Sequence, residues 1–164
     1  MNFIFTEEHI QFKDAIKAFL KHECSPASIR SGWAEKKSFN KNRWKGLEEL
    51  GVLSSNLSEE YGGLGMDQVA LALMVEEMGY VGLPEPVAEQ TFLINDLLDL
   101  LPAEMQKKIQ EHHMSGASYI SVSHPLAPNP LFLNESAGLL LFEEDSYQFV
   151  ARHDLEFEEV ASND

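Results

Sequence analysis

The chain has 164 residues, 44% of them hydrophobic, with ten Phe and two Trp. That is enough for one ordinary domain, or a domain plus part of another, and too apolar for disorder. Twelve Lys and Arg stand against 27 Asp and Glu, a formal charge of −15, which excludes general nucleic-acid binding because that requires clustered cations to displace phosphate counterions.

No apolar run reaches the roughly 18 residues that span a bilayer. Glu7 and Glu8 stand where a signal peptide carries basic charge. The single Cys24 excludes an internal disulfide. A soluble, cytoplasmic protein with a bland thiol is expected.

Thr6 is a good N-cap, followed by acids that suit the helix dipole. Phe12, Ala15, Ile16, Phe19 and Leu20 then recur at helical spacing, predicting an amphipathic helix over 7–22. Ser25-Pro26 ends it or starts a turn, and the polar stretch that follows has room for a short helix around Ile29 and Trp33. A helix over 41–50 turns Trp44 and Leu47 inward, and Gly51 stands where a left-handed closing residue is wanted. Next comes Ser58-Glu59-Glu60-Tyr61-Gly62-Gly63-Leu64-Gly65, whose glycines allow positive φ and close backbone approach. Asp67 caps a helix that is apolar on more than one face, hence buried on two sides. A fourth helix is expected over 86–100 and a fifth after Pro102, stopping at Ser115-Gly116.

The period then changes. Residues 119–123 read as a strand, 139–142 and 147–150 as a hairpin around Glu143–Ser146, and Leu155, Phe157 and Val160 hint at one more strand. The fold class is α+β: an all-α helical region of about five helices, then a short, incomplete antiparallel β segment, with the boundary near Gly116. So short a sheet needs more strands or a covering layer. The chain is therefore expected to stop inside a larger architecture or to rely on a partner, and its apolar edge to promote self-association.

Six of the twelve basic residues (Arg30, Lys36, Lys37, Lys41, Arg43, Lys45) fall in one short span, opposed only by Glu35. The span reads first as a solvated helix face; an anionic ligand or an acidic partner is the alternative. Glu48-Glu49, Glu59-Glu60 and Glu76-Glu77 are neighbours pointing about 100° apart on a helix, so they read as solvated acids rather than an acid/base dyad. His112-His113 has no chelating spacing, and no metal motif, phosphate-loop motif or nucleophile elbow is present. No metal is expected.

The runs W-K-G-L-E-E-L-G-V-L, S-E-E-Y-G-G-L-G-M-D, A-L-M-V-E-E-M-G-Y and L-P-E-P together resemble the N-terminal helical domain of the acyl-CoA dehydrogenase family. The opening F-T-E-E-H-I-Q-F-K-D-A-I-K-A-F-L is similar to that family's first helix, and A-G-L-L-L-F-E-E-D-S-Y-Q-F-V to the start of its middle β domain. The likeness covers nearly the whole chain and is closest over residues 1–90. It implies a helical domain over 1–116 and a partial middle β domain over 117–164. It also implies FAD, and α,β-dehydrogenation of an acyl-CoA or acyl-carrier thioester.

The family's base is a glutamate in a C-terminal bundle that these residues do not include, so no catalytic residue is assigned here. The resemblance further implies a homo- or hetero-oligomer with an acyl-CoA dehydrogenase-type subunit. The alternatives are a non-catalytic helper subunit and an acyl-thioester-binding module. The family's flavin-reading segment has its nearest counterpart in Ser123–Asn129. There Ser123 and Pro125 match, His124 replaces an acid, and Pro128-Asn129 replaces Gly-Ser. Ser123, Pro125 and Asn129 are the implied cofactor contacts, and Tyr61, Gly62 and Gly63 the implied wall of a substrate groove.

Overall fold

The structure, a computed structural model, describes residues 4–35, 37, 39–98, 100–113, 119–144 and 146–158. The chain divides into two compact units, Met1–Gln106 and Lys107–Asp164. The expected boundary near Gly116 lies outside the described residues.

The first unit is helical. Helix α1 (Glu7–Glu23) opens on a capping box: the Thr6 hydroxyl accepts from His9 N–H at 3.1 Å, and His9 Nδ1 accepts from Thr6 N–H at 3.4 Å. Ile16 and Leu20 are its buried residues; Ala15 is exposed. Helix α2 (Pro26–Ala34) follows after only two residues. Ser25-Pro26 thus acts as a start signal, with the Ser25 hydroxyl capping Ser28 N–H at 3.1 Å and Pro26 in the first turn, where it has no N–H to lose. Ile29 is buried, whereas Trp33 is 62% exposed.

Helix α3 (Lys41–Glu49) is capped by the Asn40 side chain and buries Arg43, Trp44 and Leu47. Gly51 follows with a φ of +74°. Helix α4 (Gln68–Val81) is capped by Asp67, whose Oδ1 accepts from Val69 and Ala70 N–H at 3.0 Å each. It buries Ala70, Leu71, Leu73, Met74, Glu77 and Met78, a set spread around more than one face, as its composition predicts. Helices α1 and α4 form the principal helix pair of this unit.

The expected fourth helix is not an ordinary one. Its centre, Glu89–Asn95, is a π-helix that continues into the short α5 (Asp96–Leu98). The Thr91 hydroxyl donates to the Val87 carbonyl at 2.9 Å, four residues back. A side chain thus occupies an acceptor that a regular ladder would use, which is compatible with the widened turn. Val87, Ile94, Leu98 and Leu101 are buried and Leu97 is half-buried. Helix α6 (Ala103–His113) starts after Pro102 and buries Ile109. Its expected stop at Ser115-Gly116 lies outside the described residues.

The second unit holds β1 (Ile120–Ser123), β2 (Gly138–Phe142) and β3 (Tyr147–Ala151) in the order β1-β2-β3. Strands β2 and β3 form the expected antiparallel hairpin, with Leu140 opposite Phe149. The sheet as a whole is mixed, because β1 runs parallel to β2 with Ile120 opposite Gly138. The long connection between β1 and β2 makes this possible, since parallel neighbours cannot be joined by a tight turn. No further strand is found at Leu155 or Phe157 among the described residues. A 3-10 turn at Arg152–Asp154 comes first, and the Arg152 guanidinium lies 4.4 Å from the Phe157 ring centroid. Val160 is not among the described residues.

Candidate functional site

Tyr61, Gly62 and Gly63 are brought together in one tight turn. The Tyr61 and Gly63 amides both donate to Ser58 O at 3.0 Å, and the Gly62 amide to Glu59 O at 3.0 Å. Gly62 has a φ of +74°, which few other residues adopt. A Cβ on Gly63 would fall 2.1 Å from the Leu57 carbonyl oxygen, so only glycine fits without a backbone shift. The turn folds back on the segment before it: Leu64, Gly65 and Met66 N–H donate to Ser54, Leu57 and Ser55 carbonyls at 3.3, 2.8 and 2.8 Å. Residues 54–66 are therefore one hydrogen-bonded wall, not a loose loop.

Asn56 ties that wall to the π-helix. Its Nδ2 donates to the Thr91 carbonyl and to Asp96 Oδ1, both at 2.8 Å. Asn95 Nδ2 donates in return to Asn56 Oδ1 at 2.8 Å and to the Leu53 carbonyl at 2.9 Å, while Gln90 Nε2 reaches Asn95 Oδ1 at 3.3 Å. Gln90, Thr91 and Asn95 are all buried. The Ser55 hydroxyl, fully buried, has no hydrogen-bond partner among the described residues. On its outer side the π-helix exposes Phe92 and Leu93, two large apolar side chains. This network does not emerge from sequence reasoning, because the apolar periodicity of 87–101 masks it. The available signal is the placing of Gln90, Thr91 and Asn95 at positions that a helix of this period turns inward.

The other predicted group, Ser123, Pro125 and Asn129, lies in the second unit, where β1 ends in a reverse turn. The His124 amide donates to Ala127 O at 3.2 Å and the Ala127 amide to His124 O at 2.7 Å. The Leu126 amide donates to His124 Nδ1 at 3.1 Å, and the Ser123 hydroxyl, itself buried, to Pro128 O at 3.1 Å. Pro125 and Pro128 have no N–H to offer. As it stands, this segment does not fit a flavin ring edge: its hydroxyl and three of its amides are spent on the turn itself. Pro125 and Asn129 are exposed.

Charge in the helical unit is organised around two buried carboxylates. Glu85 takes Arg43 in a bidentate pair, with Nε to Oε2 at 2.8 Å and a terminal nitrogen to Oε1 at 2.5 Å; Glu85 Oε1 also accepts from Asn40 N–H at 2.9 Å. Burial works against the Arg43 charge, but the Glu85 hydrogen bonds outweigh it and raise the guanidinium pKa. Glu77 is buried against α1, with Lys17 Nζ at 3.1 Å and Lys13 Nζ at 3.4 Å. Burial pushes its carboxyl up, but the Lys17 hydrogen bond and charge, joined by Lys13, hold it below the ordinary range. The reading of the Glu pairs as solvated acids therefore holds for Glu49, Glu59, Glu60 and Glu76, holds only in part for the half-buried Glu48, and fails for Glu77. Among the described residues no cluster of metal-ligating side chains is present, and no helix is long and apolar enough to cross a membrane.

Residues 6–117 match the family model described as "Acyl-CoA dehydrogenase, N-terminal domain". The chain belongs to the acyl-CoA dehydrogenase family. The probable acyl-CoA dehydrogenase YngJ of Bacillus subtilis is 35% identical over 79 residues, 48% of this chain and 20% of that protein. Acyl-CoA dehydrogenase IpdE2 of Mycolicibacterium smegmatis is 25% identical over 107 residues, 65% of this chain and 34% of that protein. Among solved structures, the ChsE4-ChsE5 complex from Mycobacterium tuberculosis contains a chain of the same fold, with a TM-score of 0.75 and 18% identity, covering 92% of this chain and 49% of that one. The matched stretches thus make up about a third or less of these curated relatives, and about half of the solved chain. The wall at 54–66 and the π-helix both fall inside the region of the acyl-CoA dehydrogenase N-terminal domain match.

Proposed function

We propose that the chain serves an acyl-CoA dehydrogenase-type flavoprotein oxidoreductase, one that carries out α,β-dehydrogenation of an acyl thioester, as its helical part. The base and most of the FAD site then come from residues outside these 164, in the same polypeptide or on a partner subunit. The observation that carries this reading is the wall at Tyr61–Gly63, locked through Asn56 to a π-helix that exposes Phe92 and Leu93. A rigid polar frame displaying apolar side chains suits an acyl group, whose recognition needs apolar contact held by a fixed scaffold. The likeness to a chain of the ChsE4-ChsE5 complex supports a partner subunit of the same family.

The test is co-expression with a full-length acyl-CoA dehydrogenase-type subunit. A yellow complex whose flavin bleaches on adding an acyl-CoA is the expected result. A complex that stays colourless with added FAD sinks the proposal.

A second reading, a non-catalytic helper subunit, is favoured by one observation: the donors of Ser123–Asn129 are consumed within their own turn. Under it, the partner alone bleaches as fast as the complex, and the chain changes only the partner's thermal stability.

A further inference from the structure

We propose that the loop after β1, residues 124–132, is a preformed apolar contact through which two copies of this chain pair. Its polar groups are turned inward. The His124, Leu126 and Ala127 amides are consumed in the reverse turn, and the Ser123 hydroxyl donates to the Pro128 carbonyl at 3.1 Å. Further along, the Tyr119 hydroxyl donates to the Leu131 carbonyl, and the Ser121 hydroxyl donates to the same oxygen at 2.7 Å. Tyr119, Ser121 and Ser123 alternate along this extended stretch and so share one face of it. Three hydroxyls on one face thus strap the loop down. Phe132 closes it with a φ of +46°, a conformation that a bulky side chain adopts only where its surroundings impose it.

The apolar side chains are turned outward. Leu126 is 90% exposed and Leu131 53%. Pro125, Leu126, Ala127 and Pro128 form an unbroken exposed apolar run, which reverses the polar pattern of an ordinary surface loop and marks a contact. Docking such a loop strips water from few unpaired polar groups. It also freezes little backbone, because Pro125, Pro128 and Pro130 fix their own φ angles. The consumed donors that leave the segment unfit for a flavin edge leave it fit for a dry contact.

Charge selects the occupant. Two copies of net charge −15 repel each other over most of their surfaces, so they meet where neither brings charge. Residues 112–134 contain no Asp, Glu, Lys or Arg, the longest such run in the chain, and the loop lies within it. A two-fold pairing presents the same patch from both sides, which sets an uncharged loop against an uncharged loop. This contact needs no flavin and does not rest on the dehydrogenase reading.

The experiment follows the full chain by analytical ultracentrifugation at rising protein concentration and at low and high salt. A reversible monomer–dimer equilibrium is expected, tighter at high salt because screening weakens the repulsion between like-charged copies. Leu126→Asp places two carboxylates against each other across the two-fold and should weaken the dimer by about tenfold or more. Leu100→Asp, at an exposed leucine of the helical unit, should leave it unchanged. Thermal melts of both variants confirm that folding is retained. In NMR spectra the Leu126 and Ala127 amides should shift with protein concentration. A chain that stays monomeric overturns the proposal, and Leu126-dependent binding to a co-expressed dehydrogenase subunit would then name that subunit as the occupant instead. A dimer indifferent to Leu126→Asp, or one loosened by salt, also overturns it. Shifts at the same amides on adding FAD would return the segment to a flavin contact and overturn it too.

Discussion

His9 Nε2 lies 3.1 Å from Asp67 Oδ1, and the contact joins the caps of α1 and α4. His9 Nδ1 accepts from Thr6 N–H, which leaves Nε2 to donate, and Asp67 Oδ1 accepts from the first turn of α4 at the same time. One histidine thus ties together the starts of the two helices that form the main pair of the helical unit.

Asp67 is accordingly expected to stabilise the fold in a pH-dependent way. The Ala70 amide bond, joined by the Val69 amide and the hydrogen bond from His9, outweighs desolvation and holds its carboxyl below the ordinary range. A depressed carboxyl contributes stability that is fully present above its unfolded value of about 3.9 and is lost as pH falls through the lower folded value. Asp67→Ala should cost about 1 kcal/mol at neutral pH. Asp67→Asn, which keeps the cap but not the charge, should cost less, and its gap from the parent should close below about pH 4. Urea midpoints measured across pH 3–7 check both.

Arg43 and Glu85 give a second prediction. Arg43→Met or Glu85→Gln alone leaves a buried group without its partner, and breaking such a pair costs about 3–5 kcal/mol. Replacing both by apolar residues of similar size should restore most of that loss. A double-mutant cycle by chemical denaturation reads the coupling. Additive single losses would show that the pair is not the unit that matters.

Much of the helical unit is legible in the sequence because capping is local chemistry. Thr6, Asp67 and Gly51 each announce an element boundary through their own side chain or lack of one. Ser25-Pro26 is ambiguous, since a residue pair that ends one helix also suits the start of the next. The π-helix is not legible, because its apolar spacing is that of an ordinary helix and its cause is a tertiary network reaching back to Asn56. Glu77 is misread for the same reason: only the packing of α1 on α4 brings Lys13 and Lys17 to it. In the sheet, the hairpin is local and readable, whereas the parallel placing of β1 depends on a connection whose path leaves no periodic signal.

Two glycines of the turn should respond differently to alanine. At Gly63 a Cβ meets the Leu57 backbone, so the wall itself must move, and a loss of about 1–3 kcal/mol is expected. At Gly65 the Cβ enters open space and only the φ of +60° is strained, for a loss of about 1 kcal/mol. Thermal melts of Gly63→Ala and Gly65→Ala rank the two. Equal losses would show that the close approach at Leu57 does not limit the turn.

Cys24 should be a slow nucleophile. Burial raises its thiol pKa, and the nearby Arg43 charge offsets that only in part. Reaction with a disulfide reagent at pH 8 should run on the order of tenfold slower in the native chain than in denaturant. Equal rates would mean the site opens freely.

The Asn56–Asn95 pair tests whether the wall and the π-helix act as one body. Asn95→Ala removes the donor to Asn56 Oδ1 and to the Leu53 carbonyl, leaving buried acceptors short of a partner. Each such deficit costs about 1–3 kcal/mol. Hydrogen exchange should then quicken at Gly63, Gly65 and Met66, whose amides close the wall, and not only within the π-helix, because Asn56 carries the link. Faster exchange confined to residues 89–98 would separate the two elements and remove the frame on which the acyl-binding reading stands.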